Sequence, residues 1–145
     1  MKERFETFTV LITKISRSIR RIKTEEMGEF SLKAPHVSCL YYIYKAKALT
    51  AKHLCELCEE DKASISRSLE YLETEGFLVR SKEDRKYKMP IELTEKGRNA
   101  GKIVSQKIDK ILESVGEGLT EEEREIFYRC LSLISDNLEK LCGEY

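Results

Sequence analysis

The chain has 145 residues, a length that suits one compact domain or one domain with a helical extension. Hydrophobic residues make up 41% and charged residues 36%, with no tryptophan and two prolines, so the composition favours a soluble, helix-rich protein and excludes a disordered chain. Basic and acidic residues number 26 each, and this balance argues against a protein that simply coats nucleic acid.

The N-terminal segment predicts a long amphipathic helix. Apolar residues follow one another at spacings of three or four over residues 4–24, which places them in a single seam along one side of a helix. The segment is also basic, because five cations and no acid lie between Lys14 and Lys23. Residues 113–125 instead carry six acids and one arginine. The net charge of zero therefore combines a basic segment near the N-terminus with an acidic segment near the C-terminus.

A helix-turn-helix is predicted in the middle of the chain. Pro35 can begin a helix that runs through Tyr44, since proline in a first turn gives up only an amide that had no partner. Thr50 can cap a short helix after it, and Asp61 can cap a further helix that ends at Gly76. Two short helices joined by a turn form the motif whose second helix can enter a major groove.

A β-hairpin, or wing, is predicted to follow. Residues 77–80 and 89–93 read as two strands around a charged tip. Pro90 cannot donate a ladder hydrogen bond, so its strand is expected to lie at an edge or to turn that position outward. The wing carries five basic residues against two acids, a charge of 5 − 2 = +3.

Two more amphipathic helices are predicted at the C-terminal end. Thr94 can cap the first, which breaks at Gly116, and Thr120 with Glu123 forms a capping box for the second. The last helix has an apolar seam at spacings of four and three. This seam consists of Phe127, Leu131, Ile134, Leu138 and Leu141.

The apolar seams favour a dimer. A lone amphipathic helix would leave its apolar stripe in water, and a second copy of the chain could cover it. The periodicity alone leaves open the alternative that the seams only cover the monomer's own core. DNA binding favours the dimer, because a single helix-turn-helix reads few base pairs and two copies read two half-sites.

Three stretches resemble the multiple-antibiotic-resistance-regulator (MarR) family. Residues 61–80 are similar to its recognition helix and first wing strand, residues 93–97 to the close of its wing, and residues 119–138 to its C-terminal dimerisation helix. The resemblance implies a mainly α fold with a small β-wing, in one domain over residues 1–145. In that fold, a winged helix-turn-helix lobe (32–94) lies between dimerisation helices (4–24 and 95–143).

The resemblance implies double-stranded DNA as the partner of a homodimeric regulator. The start of the recognition helix offers donors and no acid, and Arg67 is the favoured base reader because its planar fork can bond guanine O6 and N7 together. The family's wing carries Asp-x-Arg, whereas this chain has Lys86 in the final place and a longer interval to Leu93, so Arg85 and Lys86 are both candidates for the wing contact. The alternative is an ordinary solvated helix face. The predicted DNA-binding residues are Lys62, Ser64, Ser66, Arg67, Ser68, Lys82, Arg85, Lys86 and Lys88.

The resemblance also implies an effector site. His36, Tyr41 and Tyr44, with Tyr42 beside them, are predicted to line a pocket for a small aromatic or anionic molecule. The alternative is that these rings pack helices together with their polar groups at the edge.

The Cys55-x-x-Cys58 motif invites a metal or redox interpretation, with His53 nearby. The favoured interpretation is that both cysteines are thiols that act as small hydrophobic residues, so no metal and no cofactor are predicted. A thiol- or metal-gated sensor of the same fold is the alternative.

Catalysis is not expected, because no phosphate-binding glycine loop, nucleophile elbow or carboxylate pair near a histidine is present. The favoured function is repression of transcription. The protein is expected in the cytoplasm and away from membranes, since no apolar run suits a signal peptide or a membrane span. A winged-helix module that binds proteins and not DNA is a further alternative, which the basic wing disfavours.

Overall fold

The computed structural model describes residues 3–4, 6–46, 49–58, 60–80 and 90–144. A π-helical turn (Glu6–Val10) leads into the first long helix, and a 3₁₀ turn (Gly28–Phe30) follows that helix. The α-helices are α1 (Leu11–Glu26), α2 (Ala34–Lys45), α3 (Ala51–Cys58), α4 (Lys62–Thr74), α5 (Glu95–Val115) and α6 (Glu121–Cys142). The strands β1 (Leu78–Val79) and β2 (Glu92–Leu93) pair antiparallel, which confirms the predicted mainly α fold with a small hairpin.

The chain divides into two compact units, residues 1–107 and 108–145. In the first unit, α4 packs against α2 and α3 around a fully buried apolar core. The core includes Val37, Leu40, Leu54, Ile65, Leu69, Leu72, Phe77 and Val104. No helix in the described part of the chain has the length and apolar character needed to cross a membrane.

The helix starts are set by local side-chain chemistry, as predicted. The Asp61 side chain accepts a hydrogen bond of 2.7 Å from the Ser64 amide at the start of α4. At α6, Thr120 accepts from the Glu123 amide at 3.1 Å while Glu123 accepts from the Thr120 amide at 2.8 Å, which completes the capping box. Each bond satisfies an amide that the helix itself cannot pair.

The strands are shorter than predicted, with two residues each in a register of Leu78 with Leu93 and Val79 with Glu92. Phe77 lies just before the first strand, and its carbonyl accepts a 3.1 Å bond from the Thr94 amide. The predicted tip falls within residues 81–89, which lie outside the described residues.

The junction between the hairpin and α5 requires glycine at position 97. A Cβ atom there would lie 1.8 Å from the Phe77 carbonyl oxygen. Thr94 holds the junction together, since its hydroxyl donates to the Gly76 carbonyl at 2.6 Å and accepts from the Gly97 amide at 3.0 Å. The backbone just before β1 therefore lies directly against the start of α5.

Gly97→Ala is expected to lower the free energy of unfolding by about 3 kcal/mol, because a backbone oxygen cannot move aside as a flexible side chain can. Gly28→Ala is the matched control, since nothing lies within 4 Å of the added Cβ. Chemical denaturation of both variants measures the difference. Equal stabilities for the two would contradict the close approach at this junction.

Candidate nucleic-acid interface

The helix α4 has one side in the core. Ile65, Leu69 and Leu72 are buried there, as the periodicity predicts. Ser68 is buried with them at 6% exposure, which corrects its inclusion among residues that face DNA. The reason is helical geometry: position 68 follows Ile65 by three residues and precedes Leu72 by four, so it shares their side of the helix.

The opposite side of α4 forms what we name the recognition face, consisting of Lys62, Ser64, Ser66 and Arg67. Lys62, Ser66 and Arg67 are exposed and Ser64 is partly buried. The Arg67 guanidinium donates to the Ser64 hydroxyl at 3.1 Å, one turn back along the helix. The amide of Ser64 lowers the pKa of the capping Asp61 carboxyl by hydrogen bonding, so this carboxyl stays ionised at the helix start.

Charge changes sign along α4. The recognition face has no acid, whereas the second half of the helix carries Glu70 and Glu73. Glu73 forms an ion pair of 3.1 Å with Arg80, whose side chain is only 15% exposed. This arginine counted toward the basic wing in the sequence, but the structure uses it to fix the end of β1 to α4. The pairing joins residues seven apart, and no local sequence signal predicts it.

The predicted wing contacts Lys82, Arg85, Lys86 and Lys88 lie outside the described residues. The base of the wing is described and is well anchored. Lys96 donates to the Glu75 carbonyl at 2.6 Å and lies 4.5 Å from the centre of the Phe77 ring. Ile91 donates to the Leu49 carbonyl at 2.9 Å.

His36, which is predicted to line the effector pocket, contacts the second helix of the helix-turn-helix. Its ring stacks on Tyr71 of α4 with centroids 4.1 Å apart, and its Nδ1 accepts from the Lys33 amide at 3.2 Å. Burial first, and then the charge of Lys33, lowers the pKa of His36. The Tyr71 hydroxyl donates to the Ser31 carbonyl at 2.7 Å. These contacts fix α4 to the start of α2 and to the segment before it.

The other two predicted effector residues have different neighbours. Tyr41 meets Tyr42 edge to face with centroids 5.3 Å apart, and the Lys45 ammonium lies 5.9 Å from the Tyr41 ring centre. Tyr44 packs on α5, where a Cβ at Gly101 would lie 2.8 Å from its side chain. The contacts of Tyr44 therefore point to helix packing, those of Tyr41 lie within α2, and the effector pocket stays a prediction.

Within the described residues, no group of three or more histidine, cysteine or acidic side chains has the arrangement of a metal site. His53 instead takes part in the cap of α3, since its Nδ1 accepts from the Thr50 amide at 3.2 Å. All five cysteines are thiols. Cys55 and Cys58 are half-buried, so they are less enclosed than the expected small core residues.

The terminal helices expose apolar side chains. No residue of α6 is buried, and the five apolar residues of its predicted seam, which we name the α6 seam, are between 37% and 52% exposed. The helix α1 likewise has no buried residue. Its exposed apolar side chains, with two from the preceding turn, are Phe8, Val10, Leu11, Ile12, Ile15 and Ile19. Such contiguous apolar surface is typical of an interface with another chain.

Comparisons with known proteins find similar sequences among transcriptional regulators. A sequence model of the MarR family matches residues 30–86. The HTH-type transcriptional regulator YybA of Bacillus subtilis is 24% identical over 127 residues, which cover 87% of this chain and 85% of the relative.

Two solved structures share the fold. A MarR protein from Peptoclostridium difficile has a TM-score of 0.84 at 17% identity and covers 97% of this chain and 92% of that one. The structure of S. aureus MepR, a complex with DNA, has a TM-score of 0.81 at 20% identity and covers 90% of this chain and 97% of that one.

The helix α4 is capped at its start, packs on α3 and is followed by the antiparallel strands β1 and β2. This arrangement defines a winged helix-turn-helix protein. The matched segment contains the whole of this helix pair. Residues 30–86 thus match the MarR family, and most of the chain is similar to an HTH-type transcriptional regulator, as the resemblance in the sequence implies.

Proposed function

We propose that the protein is a DNA-binding repressor that works in the cytoplasm as a homodimer on a pseudo-palindromic operator. The recognition face carries this proposal. It presents lysine, arginine and serine donors without an acid, on a helix whose other side is fixed in the core. Lysine and arginine donate to phosphates, and arginine and serine can also read base edges. The fold is one that MepR, solved as a complex with DNA, also has.

Arg67 is the proposed base reader. Its guanidinium is exposed and lies over the first turns of α4, where the Ser64 hydroxyl holds it by a single hydrogen bond. Exchanging that bond for two bonds to guanine costs little, because a hydrogen bond from a charged group contributes about 1.5–3 kcal/mol and two such bonds replace one. The structure therefore supports an arginine that is ordered before binding and still available.

The wing is proposed to bind the DNA backbone beside the recognition helix. Lys82 and Lys88 flank its tip in the sequence and would contact phosphates, while Arg85 or Lys86 would enter the minor groove. The Glu73–Arg80 ion pair and the Lys96 contacts support this geometry, since they fix the base of the wing to α4 and α5.

The dimer is proposed to form through the terminal helices. The α6 seam is an apolar stripe that its own chain leaves exposed, and each square ångström covered by a partner would contribute about 25 cal/mol. A two-fold dimer would present two recognition helices to half-sites roughly 34–36 Å apart. Release by a small aromatic or anionic effector near His36, Tyr41 and Tyr44 is the part of the proposal that rests on the resemblance alone.

Selection of bound DNA from a random pool tests this function. We expect enrichment of an inverted repeat whose half-sites lie one helical turn apart, bound by two chains with a dissociation constant of about 10⁻⁸ M or below. Fluorescence anisotropy should show the affinity falling as salt rises. A pool that yields no enriched motif would contradict the proposal and favour a winged-helix module that binds proteins.

A further inference from the structure

The polar contacts that attach α1 to the rest of the first unit lie at one end of the helix. No residue of α1 is buried, so apolar packing within the chain fixes it only weakly. In the described part of the chain, two side-chain hydrogen bonds join α1 to other helices. One runs from the Lys23 ammonium to the Ser38 hydroxyl of α2 at 3.0 Å, and the other reaches Glu26, the last residue of α1. The helix is therefore held at its C-terminal end.

Lys107 of α5 makes the second of these contacts. Its ammonium donates to the Glu26 carbonyl at 2.8 Å and to the Glu29 carboxylate at 2.6 Å. The last carbonyl groups of a helix have no partner within it and carry the negative end of the helix dipole, so a lysine is a suitable donor for them. One side chain thus caps α1 and also binds the 3₁₀ turn that follows it. We name these two hydrogen bonds the Lys107 clamp.

The helix α5 gives the Lys107 clamp a fixed base. Val104, one turn before Lys107, is fully buried, and Ser105 is 5% exposed. One turn earlier still, Gly101 lies directly against the Tyr44 side chain of α2. The part of α5 that carries Lys107 is therefore packed into the same core as the helix-turn-helix.

The position of α1 matters for the proposed dimer, because α1 exposes apolar side chains that a partner would cover. The helix has 16 residues and is therefore about 24 Å long. A rotation of about 10° at its held end would move its far end by about 4 Å, which is about one base-pair step of DNA. A small change at the clamp would thus alter the distance between the two recognition helices of a dimer.

We propose that Lys107 is a positioning residue that sets the half-site spacing of the operator. It acts through α1 and not through a contact with DNA. The Lys107 and Glu29 side chains are 30% and 55% exposed, so their ion pair adds little to the free energy of unfolding. The contribution of the clamp is instead to the direction of α1 relative to α4. This inference rests on the proposed function, since half-site spacing has a meaning only for a dimer on DNA.

Hydrogen exchange in the free protein tests the Lys107 clamp without DNA. Lys107→Met keeps an unbranched side chain of similar length and removes the ammonium. The amides of residues 20–26 should then exchange several-fold faster, because the end of α1 opens more easily, while exchange in α4 stays unchanged and shows that the variant is folded. Lys107→Arg keeps a charged donor and should restore most of the protection. Unchanged exchange at residues 20–26 in Lys107→Met overturns the clamp.

Operators with altered spacing test the positioning role. Fluorescence anisotropy compares the selected operator with two others whose half-sites lie one base pair closer together or farther apart. The parent protein should bind both altered operators about tenfold more weakly than the selected one, because each shifts a half-site by one base-pair step. Lys107→Met should bind the selected operator several-fold more weakly, since a looser α1 must be ordered on binding, and should distinguish the spacings by about threefold or less.

The pattern across the three operators separates positioning from a general loss of stability. A merely destabilised protein would lose affinity for all three by one common factor, so a common factor in Lys107→Met overturns the positioning role. Lys102→Met removes the same charge from an exposed position of α5 and should keep the spacing preference of the parent. If the parent protein enriches no DNA motif, the proposed function fails and the spacing role fails with it, while hydrogen exchange still decides the clamp.

Discussion

Replacing Leu131 and Leu138 by glutamate is expected to dissociate the protein into monomers. Both leucines belong to the α6 seam and are 38% and 45% exposed in the single chain. A two-fold dimer would lose four leucines together. Full burial of an exposed leucine contributes about 1.5–3 kcal/mol and only about two fifths of each side chain is left to bury, so the loss in association free energy is about 2–5 kcal/mol. Burial of the new carboxylates adds to this loss.

Sedimentation velocity at micromolar concentration measures the change. The matched control is Arg129→Gln with Ser132→Glu, which alters the charge by the same two units at exposed positions of α6 outside the seam. The control should stay dimeric. A leucine variant that sediments as a folded dimer would contradict the proposed interface, as would a soluble, folded monomer after removal of residues 119–145.

Arg67→Ala is expected to weaken operator binding by about 1–3 kcal/mol per half-site, or about 2–6 kcal/mol for the dimer, and to relax the preference at one base pair of each half-site. Arg67→Lys keeps the charge but loses the planar fork, so it should retain affinity for scrambled DNA and lose most of the discrimination. Lys102→Ala, at an exposed position of α5, is the control for loss of one positive charge.

The wing lysines should behave differently from Arg67. Lys82→Ala and Lys88→Ala should weaken binding to all sequences alike and flatten the salt dependence by about one unit per lost phosphate contact. Anisotropy on the selected operator, on scrambled DNA and on operators with altered flanks separates these effects. If Arg67→Ala and the lysine variants weaken operator and scrambled DNA by one common factor, the recognition face does not read bases.

Features encoded within a few residues of each other were predictable from the sequence. Asp61 and the Thr120–Glu123 box cap their helices as expected, because a capping side chain needs only the amides two or three residues ahead. The seam of α6 was equally clear, since its spacing depends on helical periodicity alone. These signals sufficed for the order of the elements and for the winged helix-turn-helix class.

Features that depend on packing were missed or misplaced. Ser68 was assigned by its polar side chain, whereas its position in the helix puts it in the core. The stack of His36 on Tyr71 joins two different helices, so it requires the packed fold. Interactions at long sequence separation leave no periodic or spacing signal in one sequence.

The Thr94 junction also determines how the wing can open. The Thr94 hydroxyl donates to the Gly76 carbonyl and accepts from the Gly97 amide, and the Thr94 amide donates to the Phe77 carbonyl. Local opening at any one of these bonds strains the other two, because all three share a single residue. The base of the wing and the first turn of α5 therefore form one cooperative unit of local unfolding, so their amides should exchange with solvent together.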